Sequence, residues 1–398
     1  MTDAFTRFNF NWQIYCSPLA KYLFLKSLPY RSFSKLQAPF SSPPSMAPIP
    51  SVHPRIITYY QTHHHPDGTH ISVLPLISKP GISLTHLILA AIHINDDPNG
   101  ITLNDHPPSH PRFTTLWAEL RILQASGVKV LGMLGGAAKG SYTRLDSEPG
   151  FNTYYPPLRD LIKEHGLDGL DLDVEEQMSL EGIIRLIDAL KADFGKDFII
   201  TLAPVASALL DHRRNLSGFD YEALEVYRGH SISFYNTQFY CGWGDCASPL
   251  MYEMILARGW PQEKVVVGLV TNPENGSGWV PWEVLGAVVP LLCGRHPRFG
   301  GVMGWEYFNS LPGGREKPWE WARWMTVLLR GERTVWDSLM AGKEVQFVKE
   351  DDKGPDQEAI LRKPEDGVRN DIVEEDDGEG PVPETFQYYS DESDGAAD

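Results

Sequence analysis

Cysteine is scarce in this chain, which has four in 398 residues. They are Cys16, Cys241, Cys246 and Cys293, and no two of them form a Cys-x-x-Cys pair or repeat at a zinc-binding spacing. This scarcity excludes a disulfide framework and argues against a structural zinc site. Because long secreted enzymes commonly carry disulfide bridges, it favours a reducing compartment. We therefore predict a cytoplasmic protein, with a mitochondrial location or secretion by an unrecognised route as alternatives.

Excess positive charge and long apolar runs are also missing. The formal net charge is -17, which argues against nucleic-acid binding because that function needs a basic surface. No run of 18 apolar residues occurs, so we expect no membrane span. The acidity is uneven, since residues 350–398 hold 18 acidic and 4 basic residues. We expect neither a nucleic-acid nor a membrane partner, and a monomer.

The two ends of the chain differ in composition from its middle. Residues 1–52 are rich in aromatic residues, Ser and Pro, which predicts an irregular N-terminal extension. Residues 349–398 are rich in Asp, Glu, Gly and Pro, which predicts a disordered acidic tail. The middle, residues 53–348, alternates strand-like and helix-like segments and is predicted to form one domain.

The most informative stretch runs from Asp168 to Glu175. Its acidic and apolar side chains alternate, with Asp171, Asp173 and Glu175 on one face and Leu170, Leu172 and Val174 on the other. This period of two predicts a β-strand. A carboxylate that faces a low-dielectric interior must be paired, protonated or hydrated, so three of them in one row indicate a function.

Helical patterns flank this acidic strand on both sides. The segment 154–166 has apolar residues at helical spacing and ends in Gly166, and apolar residues recur at three and four positions over 180–190. The alternative, a solvated acidic edge strand, fits such flanks poorly. The order is typical of a βα barrel, in which chemistry takes place at the C-terminal ends of the strands.

The rest of residues 53–348 shows the same alternation of strand-like and helix-like segments. This alternation predicts a TIM (β/α)8 barrel of the α/β class. A Pro-rich irregular loop is expected over 96–112, and the segment 271–298 is too short for an insertion domain. A closing helix follows Trp319. The seven further strands are predicted at 55–61, 85–95, 128–136, 198–205, 231–240, 264–270 and 299–305.

Four acidic positions carry a family resemblance. The pattern DxxDxDxE is formed by Asp168, Asp171, Asp173 and Glu175. In this signature the chain resembles glycoside hydrolase family 18, which contains the chitinases and the endo-β-N-acetylglucosaminidases. The barrel carries no insertion domain of the kind found in some chitinases. Met133 stands where the family's Ser-x-Gly-Gly motif has serine, so this position supplies no hydroxyl.

Two later strands extend the resemblance. Gln238-Phe239-Tyr240 is similar to the Gln-Phe-Tyr-Asn run of class III plant-type chitinases, although Cys241 replaces the final amide. The Gly-Gly-Val-Met-Gly-Trp305 order resembles the family's last strand, whose tryptophan forms the floor of a sugar subsite. Alternation also puts Asn236 on the face of Gln238 and Tyr240. That face suits sugar binding, with an ordinary barrel strand as the alternative.

The resemblance implies a role for each residue. Glu175 would be the general acid, Asp173 would orient the substrate's acetamido group, Asp171 would share a proton with Asp173, and Tyr240 would bind the acetamido oxygen. Asp168 would organise the entry of the strand. Neither a cofactor nor a metal is implied, and the run His63–His65 is interpreted as a polar loop rather than as a metal site. The predicted substrate-binding residues are Trp305, Gln238, Asn236, Tyr60, Gly135 and Gly136.

The function implied is retaining, substrate-assisted endo-hydrolysis of β-1,4-linked N-acetylglucosaminides, as in a chitinase. The first alternative is an endo-β-N-acetylglucosaminidase that cleaves the di-N-acetylchitobiose core of N-glycans. The second is a lectin that binds such sugars without cleaving them, which the presence of Glu175 disfavours. The expected ligand is a GlcNAc-containing oligo- or polysaccharide, or an N-glycan.

Overall fold

The structure is a computed structural model that describes residues 54–331 and 333–342. The predicted N-terminal extension, residues 1–52, and the predicted acidic tail, residues 349–398, lie outside the described residues. Among the helices of the described part, none is both long enough and apolar enough to cross a membrane.

Nine strands and ten helices make up the described chain. The strands are β1 Arg55–Tyr60, β2 His86–His93, β3 Thr102–Leu103, β4 Lys129–Gly135, β5 Gly169–Asp173, β6 Ile199–Leu202, β7 Phe234–Gln238, β8 Val265–Val270 and β9 Gly301–Trp305. The helices are α1 Pro75–Ser78, α2 Thr114–Ala125, α3 Ser141–Asp146, α4 Glu148–His165, α5 Leu180–Phe194, α6 Tyr221–Arg228, α7 Leu250–Ala257, α8 Trp282–Arg295, α9 Glu320–Arg330 and α10 Arg333–Met340.

Eight parallel strands close into a barrel. Their order is β1-β9-β8-β7-β6-β5-β4-β2, and β2 pairs again with β1. The ninth strand, β3, is antiparallel to β2 and lies within the loop that was predicted to be wholly irregular. That part of the prediction is wrong, because two residues suffice for a short edge pairing. The TIM-barrel prediction is confirmed, with a helix after each barrel strand from β4 onward.

Alternating side chains divide the core into two layers. The outer layer, between strands and helices, contains Leu170, Leu172 and most of the buried aliphatic residues, each of which contributes about 1.5–3 kcal/mol on burial. The inner layer fills the barrel and is smaller. Its members are Ile57, Tyr59, Ile88, Ala90, Ala91, Leu131, Met133, Phe234, Tyr240, Val266, Val270 and Met303.

Local signals explain the helices around the acidic strand. Helix α4 begins at Glu148, six residues before the predicted start, because the Ser147 hydroxyl accepts from the Gly150 N–H and caps it. It ends at Gly166, whose φ of 62° is the left-handed conformation that glycine adopts most easily. Helix α5 is capped by Ser179 in the same way. The cap at Gly166 and the cap at Ser179 fix the length of the connections on either side of β5.

The connection between β8 and β9 contains no insertion domain in the described chain. It holds a 3₁₀ turn at Pro273–Asn275 and the helix α8. Loops rather than an added domain therefore surround the C-terminal end of the barrel in the described chain, where Glu175 and Trp305 are partly exposed.

Candidate active site

The three predicted carboxyls of β5 rise from the barrel interior to its C-terminal opening. Asp171 is fully buried, Asp173 is 6% exposed, and Glu175 lies two residues beyond the strand with a half-buried side chain. Leu170 and Leu172 point the other way, into the outer layer. The alternation in the sequence therefore predicts correctly which face of β5 is inside.

Asp171 is surrounded by donors. It accepts hydrogen bonds from the Tyr59 hydroxyl at 2.6 Å, the Thr201 hydroxyl at 2.5 Å and the Asn236 amide at 3.0 Å. Burial raises the pKa of Asp171, and these three hydrogen bonds oppose the rise because they stabilise the charged form.

Asp173 is in a different environment. Its nearest donor is the Gln238 amide, at 3.4 Å. Burial raises the pKa of Asp173 well above its usual range, and the negative charges of Glu175 and Asp171 raise it further. Since Asp171 has the better hydrogen bonds, the geometry favours an ionised Asp171 and a protonated Asp173.

Glu175 is linked to the same network through Gln238. The Gln238 amide donates to Glu175 Oε1 at 3.1 Å and to the Ala203 carbonyl at 3.0 Å. One amide on β7 thus contacts two of the three carboxyls and is itself fixed to the end of β6. This arrangement holds Glu175 at the opening, where it can exchange protons with a ligand.

The polar face of β7 is inside the barrel. Asn236 and Gln238 lie on the strand and Tyr240 lies two residues beyond it, whereas Phe239 packs in the outer layer. The strand is shorter than predicted at both ends, since residues 229–231 form a 3₁₀ turn and the strand ends at Gln238. Burial raises the pKa of the Tyr240 phenol, as do the charges of Asp173 and Glu175. The phenol therefore keeps its proton and can donate it in a hydrogen bond.

Trp305 ends β9 with its indole partly exposed. It packs edge-on against Tyr59, with 5.4 Å between ring centroids. In the closed strand order β9 and β5 are four positions apart in either direction, so Trp305 and Glu175 lie on opposite sides of the barrel opening. A ring bound on the indole would have the carboxyl row facing it.

Gly135 and Gly136 allow a close approach between strands. A side chain at Gly135, whose φ is 88°, would come within 2.6 Å of the Asp173 carbonyl oxygen. The Gly136 N–H donates to that same oxygen at 2.9 Å. The neighbours that require glycine at this position are β5 and the Tyr142 ring, and contact of Gly135 and Gly136 with a sugar stays a prediction.

The prediction for Tyr60 is wrong. Its side chain is fully buried in the outer layer, where its hydroxyl donates to the Ile71 carbonyl at 2.6 Å. Its neighbour Tyr59 faces the interior and contacts both Asp171 and Trp305. The strand alternates as any strand does, and the prediction took the wrong one of two adjacent tyrosines.

Sequence reasoning also missed Thr201 and Glu176. Thr201 lies on β6 directly beside Asp171 in the sheet register, so the alternation of β6 was the available signal. Glu176, the residue after Glu175, is 7% exposed. Its carboxylate accepts from the Gly140 N–H, the Tyr142 N–H and the Thr143 hydroxyl at 2.7–2.8 Å. It thereby ties the β4–α3 connection to the residue next to Glu175.

Asp168 lies at the N-terminal end of β5, away from the opening. It accepts from the Val130 N–H and the Gln124 amide at 2.9 Å and contacts the Lys129 ammonium at 3.2 Å. These contacts join the start of β5 to α2 and β4. It therefore lies at the end of β5 opposite to Glu175, and its role in organising the entry of the strand stays a prediction.

The histidine run after β1 divides between interior and surface. His63 is 3% exposed, bonds through Nε2 to the Tyr60 carbonyl and has its pKa lowered by burial to about 3. His64 is half-buried and bonds to the Arg112 carbonyl. Among residues 54–331 and 333–342, no three His, Cys, Asp or Glu side chains are arranged to hold a metal.

A broad depression of about 820 Å³ has Glu175 in its wall. The β4–α3 connection and the loops after β5 and β6 enclose it. Its lining residues are Asp96, Lys139, Gly140, Thr143, Arg144, Tyr154, Glu175, Glu176, Gln177, Asn215 and Leu216. We refer to it as the acid-side depression. A group bound there would be within reach of the Glu175 carboxyl.

Known proteins match this chain over the barrel. The sequence profile described as "Glycosyl hydrolases family 18" matches residues 55–277. A fungal endo-β-N-acetylglucosaminidase of glycosyl hydrolase family 18 is 52% identical, with a TM-score of 0.68 over 70% of this chain and 99% of the other. The chitinase ChiC from Aspergillus fumigatus is 57% identical, with a TM-score of 0.64 over 69% and 99%.

A longer relative is matched only in part. Chitinase 2 from Rhizopus oligosporus is 29% identical over 211 residues, which are 48% of this chain and 36% of that protein. The chain therefore spans little more than a third of that relative's length.

Proposed function

Because the chain belongs to glycoside hydrolase family 18, we propose that it cleaves the β-1,4 bond between two N-acetylglucosamine residues within a longer glycan, with retention of configuration. The observation that carries the proposal is the interior row Asp171, Asp173 and Glu175, which ends at the barrel opening across from Trp305. Two solved structures similar to this chain support the same bond, since a chitinase and an endo-β-N-acetylglucosaminidase both act on N-acetylglucosaminides.

Glu175 is the general acid of the proposed reaction. It is the carboxyl with access to the opening, and the Gln238 amide holds it in place. Its proton passes to the glycosidic oxygen as the bond to the anomeric carbon breaks. The leaving sugar then departs through the acid-side depression.

The nucleophile is the substrate's own acetamido oxygen. It attacks the anomeric carbon and forms a cyclic oxazolinium ion, so no second carboxylate becomes covalently attached. Tyr240 donates to the acetamido oxygen before the attack. Asp173 accepts from the acetamido N–H and offsets the positive charge that develops on the ring.

Asp171 accepts the proton that Asp173 gives up during the reaction. In the resting site the proton is on Asp173; it moves to Asp171 when the acetamido N–H arrives, which leaves Asp173 anionic beside the forming cation. Water then attacks the anomeric carbon and gives a proton to the Glu175 carboxylate. Two inversions at one carbon produce net retention.

Trp305 forms the floor of the site that holds the reacting sugar. Its indole plane packs on the apolar face of a pyranose, and its N–H can meet a hydroxyl at the edge. Tyr59 supports the ring edge-on and also hydrogen-bonds Asp171, so the floor and the carboxyl row are joined through one side chain.

Two substrates contain the bond in question. Chitin oligomers repeat it along the chain, and the di-N-acetylchitobiose core of N-glycans contains it once. The similarity to a chitinase at 57% identity supports the first, and the similarity to an endo-β-N-acetylglucosaminidase at 52% identity supports the second. A sugar-binding lectin is the weaker candidate, since Asp171, Asp173, Glu175 and Tyr240 are all present.

Comparing two tetrasaccharides tests the proposal. Chitotetraose carries the 2-acetamido group and should be cleaved, whereas cellotetraose lacks it and should not, because the nucleophile is missing. Product formation is followed by mass spectrometry, with the anomer of the first product read by NMR. Cleavage of cellotetraose at a similar rate would contradict the assisted mechanism, and binding of chitotetraose without turnover would favour the lectin.

A further inference from the structure

A second depression lies at the C-terminal ends of β1 and β2. It has a volume of about 480 Å³ and shares no lining residue with the acid-side depression. We call it the histidine pocket. Its polar lining includes Gln61, His64, His93, Asn104, Asp105 and Arg112.

The histidine pocket is joined directly to the Trp305 strand. Glu306, the next residue, accepts from the Gln61 and Thr62 N–H groups at 2.9 and 2.8 Å and from the Thr62 hydroxyl at 2.8 Å. The side of the pocket formed by Gln61 and Thr62 is thereby fixed beside the Trp305 indole. Since β1 is the neighbour of β9, and the acid lies on β5, a sugar on Trp305 has Glu175 on one side and this pocket on another.

A β-bulge directs His93 into the pocket. Leu89 and Ile92 both pack in the outer layer, while Ala90 and Ala91 both face the interior, and the register of β2 with β4 shifts between them. The extra residue reverses the alternation, so His93 falls on the interior face rather than among the helices. Bulges of this kind occur often beside active sites, where they redirect a side chain.

Asn104 stabilises the bulge and the pocket together. Its backbone N–H donates to the Ala91 carbonyl at 2.8 Å, and its side-chain oxygen accepts from the Ala91 N–H at 3.1 Å. Its amide nitrogen donates to the Gln61 carbonyl at 2.9 Å. The residue adopts φ of 51°, a conformation that asparagine tolerates better than most residues. The pocket is therefore a built feature in which β1, β2 and the following loop are hydrogen-bonded to one another.

The lining suits a neutral, hydroxyl-rich ligand. Burial lowers the pKa of His93, so its imidazole is neutral at neutral pH and offers one donor and one acceptor. The charges of Asp105 and Arg112 have opposite signs. A carboxylate, an amide and a guanidinium can each engage two adjacent hydroxyls, as hexoses present them.

The same lining is unsuited to stacking. The one aromatic carbocycle among the residues that line the pocket is Phe113, which is 2% exposed and has no open face for a sugar ring. A linear chain of acetamido sugars is typically held by exposed aromatic planes. Hydrogen-bonding groups without a tryptophan or tyrosine plane suit sugars that present several adjacent free hydroxyls.

We propose that the histidine pocket binds unacetylated hexose residues of the substrate, on the non-reducing side of the N-acetylglucosamine held at Trp305. The inference rests on the proposed function and deepens it, because it selects glycans in which hexoses precede the reacting sugar, as in N-glycans, over chitin. Asp105 and His93 then determine specificity without taking part in bond cleavage.

The experiment compares two substrates in three variants. Hydrolysis of a high-mannose glycopeptide and of chitotetraose is measured for the full chain and for Asp105→Asn, His93→Ala and, as a matched surface control, Asp160→Asn. Wild type should prefer the glycopeptide in kcat/KM. The two pocket variants should lose about ten-fold or more on the glycopeptide, because a ligand hydroxyl loses its partner. Chitotetraose turnover should stay within about two-fold, and Asp160→Asn should change neither rate.

Other outcomes overturn the inference. A preference for chitotetraose, or variants that affect both substrates equally or neither, would remove the pocket from substrate selection while leaving the cleavage chemistry intact. If wild type cleaves neither substrate, the proposed function fails, and the pocket is judged by binding alone. Mannopentaose, which has no cleavable bond of this kind, should then bind wild type in ligand-observed NMR and bind Asp105→Asn more weakly. The absence of binding would end the proposal.

Discussion

Asp171 and Asp173 differ in the number of hydrogen-bond donors around them. Asp171 has three within 3.0 Å, whereas the donor nearest Asp173 is at 3.4 Å. Two carboxyls on the same face of a strand cannot both ionise at low cost in a buried site. The unequal hydrogen bonding decides which of them holds the proton, and this division is the basis of their separate roles.

A buried carboxyl of this kind makes stability depend on pH. The pKa of Asp173 is raised on folding, so its contribution to the free energy of unfolding is fully present below the unfolded pKa of about 3.9 and is lost as pH rises through the folded pKa. Asp173→Asn removes that loss. We expect the melting temperature of the variant, relative to wild type, to rise progressively as the pH is raised above about 4.

The control for this titration is Asp160→Asn on α4, where the side chain is exposed. Its difference from wild type should stay flat over the same range. A constant offset between Asp173→Asn and wild type at every pH would show that packing, rather than ionisation, sets the effect.

Glu175→Gln keeps the shape of the proposed acid and removes its proton. We expect kcat to fall about 10²–10⁴-fold, since that is the usual contribution of a positioned acid, while the affinity for chitotetraose stays near that of wild type. Stopped assays and calorimetric titration measure the two quantities. Glu164→Gln, on the surface of α4, serves as the matched control. Near-normal turnover would mean that another group supplies the proton.

At this scale the sequence is informative where polarity alternates. The acidic face of β5 and the polar face of β7 are readable because each has apolar residues on the other side. The first strand, from Arg55 to Tyr60, is apolar or aromatic at four of its six positions and is buried on both faces. The alternation of this strand therefore does not show which face is interior, and the sequence does not distinguish Tyr59 from Tyr60.

The β4–α3 connection is an element held by one side chain. Glu176 satisfies two backbone donors and one hydroxyl there. From the other end, the Asp146 carboxylate accepts from the Ser179 N–H, which begins α5. These bonds unite the connection with the residues that follow β5, so the wall of the acid-side depression and Glu175 form one body.

Glu176→Ala should loosen this body. We expect the free energy of unfolding to fall by about 2–4 kcal/mol, because the N–H groups of Gly140 and Tyr142 lose their acceptor. We also expect kcat to fall more for chitotetraose than for an aryl chitobioside, whose leaving group needs less help from the acid. Urea titration and the two rate measurements test this. For Glu176→Gln, which keeps one acceptor oxygen, the free energy of unfolding should lie between those of wild type and Glu176→Ala. An equal fall of kcat on both substrates would assign Glu176 to stability alone.

The element that sequence could not foresee is the bulge in β2. The run Leu89-Ala90-Ala91-Ile92-His93 reads as a continuous buried strand, and one inserted residue reverses every position after it. The cause is a pair of hydrogen bonds between Ala91 and Asn104, thirteen positions away: the Asn104 N–H donates to the Ala91 carbonyl, and the Asn104 side-chain oxygen accepts from the Ala91 N–H. Such a cause becomes visible only when the two segments are seen side by side.

The whole molecule depends on packing outside the barrel as well as within it. In α10, the Trp336 side chain is 4% exposed and contacts Trp282 and Trp324, with ring centroids 6.2 and 5.5 Å away. Its indole also lies where a side chain at Gly286 would be, so α8 and α10 fit closely. The last described helix therefore belongs to the core of the fold.

Trp336→Ala should destabilise the protein without altering the site. We expect a loss of about 3–5 kcal/mol in the free energy of unfolding, from the cavity left by a large buried ring. The kcat/KM at 15 °C should remain close to wild type. Thermal and urea unfolding provide the measurement, with the exposed Tyr227→Ala as the control that should change little. A large loss of activity at low temperature would mean that α10 influences the catalytic end.

Closure of the barrel also constrains how the chain is made. Arg55 pairs with Gly301, whereas the other edge of β1 pairs with β2 only about thirty residues along the chain. At a synthesis rate of about 5–20 residues per second, roughly 12–50 s pass on the ribosome between the emergence of the two partners. During that interval one hydrogen-bonding edge of the nascent first strand has no strand partner, so the barrel closes only after β9 has been made.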